Sequence, residues 1–266
     1  MSFGSFALDG EVEMSDEWDF YFTNVNGVLA SIFVDLGIRQ LVPQASHPWL
    51  LWSWVYFEEP REDGLSSSEE SPTLREIEDA LTRSVSEISH AELVGRITTD
   101  GRREFYFYGP DPARFDDAVS RALESFPKYR FEFGRQEDHG WLHYLNVLYP
   151  SPRDNQRIKN RHVLEALKNR GDSLKASRSV SHWAYFRSPE DRARFIAQVI
   201  SNGFEICNES EETELATECP YGVTIQRIDH IDWDSINEVT LELFELANEH
   251  GGEYDGWETS VEKDGQ

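Results

Sequence analysis

The chain has 266 residues, 39% of them hydrophobic, with 8 Trp, 16 Phe and 10 Tyr; this excludes disorder and supports one large or two ordinary domains. Fifty acidic against 25 basic residues leave a net charge of -25, which disfavours direct nucleic-acid binding, since that affinity rests on Lys and Arg neutralising phosphates. Two cysteines, Cys207 and Cys219, are too few for a disulfide framework or a zinc site, and the longest apolar run, PWLLWSWVYF, falls short of the ~20 residues that span a bilayer.

The N-terminus, MSFGSFALDGEVEMSDEWD, is acidic and has no basic n-region, so no signal peptide is expected and the location expected is cytoplasmic. Residues 17–40 alternate aromatic and aliphatic positions around Asn26-Gly27, a favoured two-residue hairpin turn. Trp49 to Glu58 is nearly continuously apolar, the pattern of a central strand. After the loop REDGLSSSEES, Ser71-Pro72 predicts a capped helix start with proline at its first position. Leu74, Ile77, Leu81, Val85 and Ile88 make the buried stripe of that helix. Asp100-Gly101 marks the tip of a second hairpin, ELVGRITT-DG-RREFYFYG. Asp111-Pro112 opens another helix, a strand YRFEFGRQ follows, and LHYLNVLYP after Trp141 reads as strand-like. From Trp49 to Gln136 the order is β-α-β-β-α-β.

Pro150-Ser151-Pro152 stiffens the chain and interrupts helix and strand, which places a domain boundary there: residues 1–150 and 151–266. A helix from about Asp154 to Arg170, closed by Gly171, precedes the strand HWAYF. Ser188-Pro189 opens the next helix, with Phe195, Ile196, Val199 and Ile200 expected inside, and a strand begins at Phe204. YGVTIQRIDHI is a strand, and Ser235-x-x-Glu238 fits a capping box for the helix that carries Ile236, Val239, Leu243 and Leu246 on one face. Gly251 stops it before a last strand entered through GGEYDGWETSVE. The second half again has the order β-α-β-β-α-β. The fold expected is therefore α+β, two ferredoxin-like sandwiches, the first with an added N-terminal hairpin and the second preceded by a helix.

Charge is segregated in the second half. Arg153 to Arg194 holds 11 basic and 5 acidic residues, whereas Glu205 to Asp264 holds 2 basic and 18 acidic. The segment Asn208 to Glu218 crowds Glu209, Glu211, Glu212, Glu214 and Glu218, which favours an exposed extended loop able to dock a basic partner. The helix bearing Arg153, Arg157, Lys159, Arg161, Lys168 and Arg170 spreads its charges around its circumference, as a solvated helix does. In Tyr254-Asp255-Gly256-Trp257 the Asp-Gly pair makes a turn or bulge; its aromatics either pack inside or stand as exposed anchors. Asp138, His139 and His143 lack the surroundings of a metal motif, and His182, His230, Asp229, Asp232 and Asp255, residue types suited to acid–base work, have no nucleophile motif beside them. No catalytic residue, metal or cofactor is expected. The aromatic residues Trp49, Trp52, Trp54, Tyr106, Phe107 and Tyr108 leave open a small-molecule pocket or an enzymatic role in the N-terminal half.

The stretch from His182-Trp183-Ala184-Tyr185-Phe186, through a helix, to Gly203-Phe204-Glu205 and on to LANEHGGEYDGWET resembles the regulator of ribonuclease E activity B (RraB) family. A histidine-aromatic strand, a Gly-Phe-Glu strand and a final Tyr-Asp-Gly-Trp recur there in this order. The upstream GRITTDGRREFYFYG resembles a bacterial domain of unknown function often fused ahead of RraB-like domains. The aspartate-proline-x-tryptophan usual in that domain is here Asp138-His139-Gly140-Trp141. The resemblance implies a non-enzymatic acidic regulator whose partner is a basic protein, ribonuclease E, bound directly and without RNA. It implies a partner surface at Glu209, Glu211, Glu212, Glu214, Glu218, Tyr254, Asp255 and Trp257.

Overall fold

The computed structural model describes residues 15, 17–25, 27–211 and 218–263. The chain divides into two units, Met1–Asp154 and Asn155–Gln266, and each is an α+β arrangement with its own antiparallel sheet.

The first unit contains β1 (Trp18–Val25), β2 (Val28–Asp35), β3 (Trp49–Tyr56), α1 (Ser71–Ser89), β4 (Glu92–Thr99), β5 (Arg102–Gly109), α2 (Phe115–Leu123) and β6 (Phe131–Glu137). Its sheet runs β1-β2-β4-β5-β3-β6, so β3 lies inside it, as its unbroken apolar run requires. Leu51 and Val55 of β3 and Phe105 and Phe107 of β5 pack against Leu74, Ile77 and Leu81 of α1 and Phe115 and Val119 of α2. Asp100 and Gly101 at the β4–β5 tip both have positive φ, 46° and 73°, the backbone that a right-twisted hairpin needs. The expected serine cap of α1 is displaced: Glu70 holds the N-cap position without a side-chain bond. Its own N–H donates to Ser67 Oγ at 3.1 Å.

The run after Trp141 is a correction. It forms a helical turn ending in a π-type segment, Tyr144–Leu148, where the largely apolar run reads as strand-like. Trp141, Tyr144 and Leu148 are buried, and their spacing of three and four suits one helical face as well as the apolar content suits a strand. Asp138 decides between the two, since its carboxylate accepts the N–H groups of Leu142 (2.8 Å) and His143 (2.9 Å) and so caps the turn. Tyr108 Oη donates to the same carboxylate at 2.6 Å, and the Trp141 ring stacks on Tyr108 at 3.8 Å. Burial works against its charge, but these three bonds hold the Asp138 carboxyl below the usual range. We expect Asp138→Ala to destabilise this unit by about 2–4 kcal/mol, because it strands a buried hydroxyl and two amides. Urea unfolding would measure it, with Asp138→Asn, which still accepts, falling between.

The second unit contains α3 (Pro152–Asn169), β7 (Arg178–Phe186), α4 (Pro189–Ser201), β8 (Glu205–Glu211), β9 (Tyr221–Asp229), α5 (Trp233–Glu249) and β10 (Gly252–Thr259). The sheet order is β10-β7-β9-β8. Ser188 caps α4 by accepting the Asp191 N–H at 3.1 Å. α5 is capped earlier than Ser235-x-x-Glu238 suggests: Asp232 accepts the Ser235 N–H at 3.1 Å, because a carboxylate at the positive helix end outcompetes a hydroxyl. Phe195 and Val199 are buried, but Ile200 is exposed, lying one residue past the buried stripe. Ala184, Phe186, Val223 and Ile225 share a cluster with Phe195 and Val199 of α4 and Leu243 and Leu246 of α5. Val180 and Trp257 share another with Leu164 and Leu167 of α3. All three helices therefore cover one face of this sheet.

Candidate functional site

The acidic region of the second unit begins on a strand rather than in a loop. Glu209 and Glu211 belong to β8, which pairs with β9 at the edge of the sheet. The correction follows from the Ile206–Ile225 and Glu209–Val223 pairings, which continue the ladder past the first glutamates; charged residues are tolerated on edge strands. Glu209 pairs with Arg192 at 2.9 Å, and the same guanidinium donates to the carbonyls of Ser210 (2.9 Å) and Gly222 (3.1 Å). This arginine on α4 thus ties the edge strand to its neighbour. Glu211 is exposed at the strand end, and Glu218, also exposed, lies 3.5 Å from Arg187. Glu212 and Glu214 lie outside the described residues.

Tyr254-Asp255-Gly256-Trp257 sits on β10 at a register shift between Tyr254 and Gly256 against β7. The extra residue at that bulge, Asp255, is exposed. Tyr254 and Trp257 are buried, so of the two readings the aromatics take the packed one. Trp257 Nε1 donates to Asn160 Oδ1 at 2.9 Å, and Tyr254 Oη lies 2.8 Å from His182 Nδ1. Asn160, fully buried on α3, also accepts from Gln156 Nε2 (3.0 Å) and donates to Asn237 Oδ1 (2.9 Å) and Thr240 Oγ1 (2.7 Å) on α5. The motif therefore anchors β10 from within while its bulge presents a carboxylate outside. Sequence reading missed Asn160; its only signal is an amide at the apolar spacing of α3.

At the opposite end of the sheet from Glu211, where Arg178 pairs with Asp229 in the ladder, Asp172 is buried against Arg178. The Arg178 guanidinium, with help from the Glu262 and Leu174 N–H groups, pulls the carboxyl down to about 2 against the opposition of burial. The histidines and carboxylates of this unit that suit acid–base work do not converge. His182 is buried, His230 is exposed beside Ser177, Asp229 pairs with Arg227 and Asp232 caps α5.

In the first unit, exposed His139 lies 3.5 Å from Glu137, whereas the His143 ring packs at a tilt of 38° against Tyr106, 4.2 Å between centroids. Burial lowers His143 to about 4, with Asp138 opposing. Among the described residues no group of three or more His, Cys, Asp and Glu gathers to hold a metal. The six aromatics do not line one pocket, because strand alternation divides them. Trp49 and Phe107 join the core under α1 and α2, while Trp52, Trp54, Tyr106 and Tyr108 take the opposite face, the Trp52 and Trp54 rings 4.7 Å apart at a tilt of 32°. A depression of about 480 Å³ lies elsewhere, lined by Ser120, Arg121, Leu123, Glu124, Pro127 and Phe131. No helix among the described residues is long and apolar enough to cross a membrane.

Comparison with known proteins bears out both resemblances. Residues 157–259 match the family model described as regulator of ribonuclease activity B. Residues 16–149 match a family of unknown function, DUF695. No curated protein matches. Among solved structures, the crystal structure of an unknown protein from Galdieria sulphuraria is similar over 80% of this chain and 99% of its own, at 11% identity and a TM-score of 0.22. The match to residues 16–149 takes in half of the chain, which therefore belongs to the DUF695 family and carries behind that domain a region matched by regulator of ribonuclease activity B.

Proposed function

We propose that the protein is a non-enzymatic cytoplasmic regulator that restrains ribonuclease E, or a related basic RNA-processing enzyme, by binding the enzyme rather than its RNA. The observation that carries this reading is the match of residues 157–259 to regulator of ribonuclease activity B. Charge supports it: the net charge of -25 repels phosphate and speeds encounter with cationic protein, by ~10- to 1000-fold at low salt. Both units are read as ferredoxin-like sandwiches; numbered within each β-α-β-β-α-β run, the strands follow one spatial order, 4-1-3-2, with β1 and β2 added at the edge of the first sheet. Glu209, Glu211, Glu212, Glu214, Glu218 and Asp255 are the carboxylates proposed to meet the partner, while Tyr254 and Trp257 hold the strand that presents Asp255.

The test is retention of ribonuclease E on the immobilised protein at low ionic strength, with elution along a salt gradient. We expect retention, slower RNA cleavage by the bound enzyme, and about 10-fold weaker binding when Glu211 and Glu218 are changed to lysine. Failure to retain the enzyme at low salt overturns the reading.

A further inference from the structure

With α3, α4 and α5 on one face of the second sheet, the alternate residues of its strands occupy the other face. The central strand β7 places Trp183 and Tyr185 there, flanked on β9 by Thr224, Gln226 and Ile228. Both aromatics are half-buried, and Ile228 is 68% exposed. Two glycines shape the floor. A Cβ on Gly222 would lie 3.1 Å from the Tyr185 ring and 2.4 Å from Ser210 Oγ, so this glycine lets Tyr185 lie flat across the sheet. Gly256 stands opposite Trp183 in the ladder, with nothing within 4 Å of where its Cβ would be, so that flank of the tryptophan is open.

Around these rings the rim is acidic. Glu205 on β8 and Glu253, Asp255 and Glu258 on β10 are all exposed, and the register puts Glu205 opposite Gln226, Glu253 opposite Tyr185 and Glu258 opposite Ser181. The strand positions of this face carry no lysine or arginine; the first cation beyond β7, Arg187, lies past the strand end beside Glu218.

We infer that this open sheet face is a docking surface for an arginine-rich protein segment. Guanidinium planes stack on Trp and Tyr faces and fork to carboxylates, which a lysine ammonium does less well. Central aromatics ringed by polar residues are also the usual anatomy of an interface hot spot. Phosphate of any nucleic acid is repelled by the same rim. The inference deepens the regulator reading and rests on it for the identity of the partner, though not for the chemistry of the face.

The experiment titrates the full chain into a fluorescent arginine–glycine repeat peptide at low salt and follows anisotropy. Trp183→Ala and the double change Glu253→Lys/Glu258→Lys should each weaken binding by about 10-fold or more. A control with the same charge change on exposed α5 positions, Glu238→Lys/Glu249→Lys, should weaken it by no more than about 2- to 3-fold, the effect of bulk charge alone. Circular dichroism checks that Trp183→Ala folds; if it does not, the charge variants decide. Equal losses in face and control variants, no loss in the face variants, or no binding of peptide by the wild type each overturns the docking face. Peptide binding through this face without retention of ribonuclease E overturns only the ribonuclease reading. Retention of ribonuclease E unaffected by the face variants overturns only the docking face.

Discussion

Replacing Asn160 with leucine should cost the second unit about 3–5 kcal/mol, the largest single-residue effect we expect in this protein. The side chain is fully buried, and its carbonyl accepts from both Trp257 and Gln156 while its amide donates to Asn237 and Thr240. Leucine fills the volume but leaves an indole N–H and an amide donor without an acceptor, and Asn237 Oδ1 without a donor. Each stranded buried group costs about 1–3 kcal/mol, and partial relaxation brings the sum below simple addition. The midpoint of urea unfolding measures the loss. Trp257→Phe removes one donor yet keeps most of the ring, so it should cost only about 1–2 kcal/mol. It should also leave partner binding by the folded protein unchanged, because the ring is internal. An exposed anchor would behave in the opposite way, losing affinity and not stability.

Acid should unfold the second unit through His182. The imidazole is buried, Nδ1 faces Tyr254 Oη at 2.8 Å, and its ring meets Phe204 edge-on at 5.7 Å. Arg227 lies over the Phe204 ring, its guanidinium 4.1 Å from the ring centre. Burial, and then the charge of Arg227, lowers the histidine to about 3. The unfolded chain takes up this proton near pH 6.5, whereas the folded chain resists until about pH 3. The folded state is therefore unpenalised above pH 6.5 and loses stability steadily between pH 6.5 and 3. At about 1.36 kcal/mol per pH unit the loss reaches about 3 kcal/mol near pH 4. His182→Gln, which can still bond Tyr254, should flatten this limb. Asp172 acts in a lower window: with its carboxyl held at about 2, its contribution is present above pH ~4 and disappears as pH falls through 2. His143, lowered to about 4, adds an acid limb of the same sign in the first unit. Unfolding of wild type and His182→Gln across this range separates the two units, since only the difference belongs to His182.

Much of the architecture was legible in order along the chain. The Asp100-Gly101 tip, the stripe of α1, the Ser188 cap and the stop at Gly251 each depend on residues within a few positions of one another, and local chemistry alone selects them. The errors arose where two local patterns competed. Trp141 to Leu148 offered both the apolar content of a strand and a helical spacing of three and four, and it was the Asp138 carboxylate, bonded by Tyr108 of β5, that chose the helical turn. Asn208 to Glu211 looked like the start of a charged loop until pairing with β9 drew them into the ladder.

The acidic excess and its concentration after Glu205 were determined by sequence, since charge needs no fold to be counted. Which carboxylates share a surface was decided only by tertiary structure. Alternation in HWAYF sends His182 beneath the sheet and Trp183 onto its open face, but only the packing of three helices on one side says which face is which. The bulge at Asp255 and the buried amide of Asn160 likewise come from contacts between β10, β7, α3 and α5. Those partners lie up to 97 residues apart, and no local periodicity records a contact across such a distance.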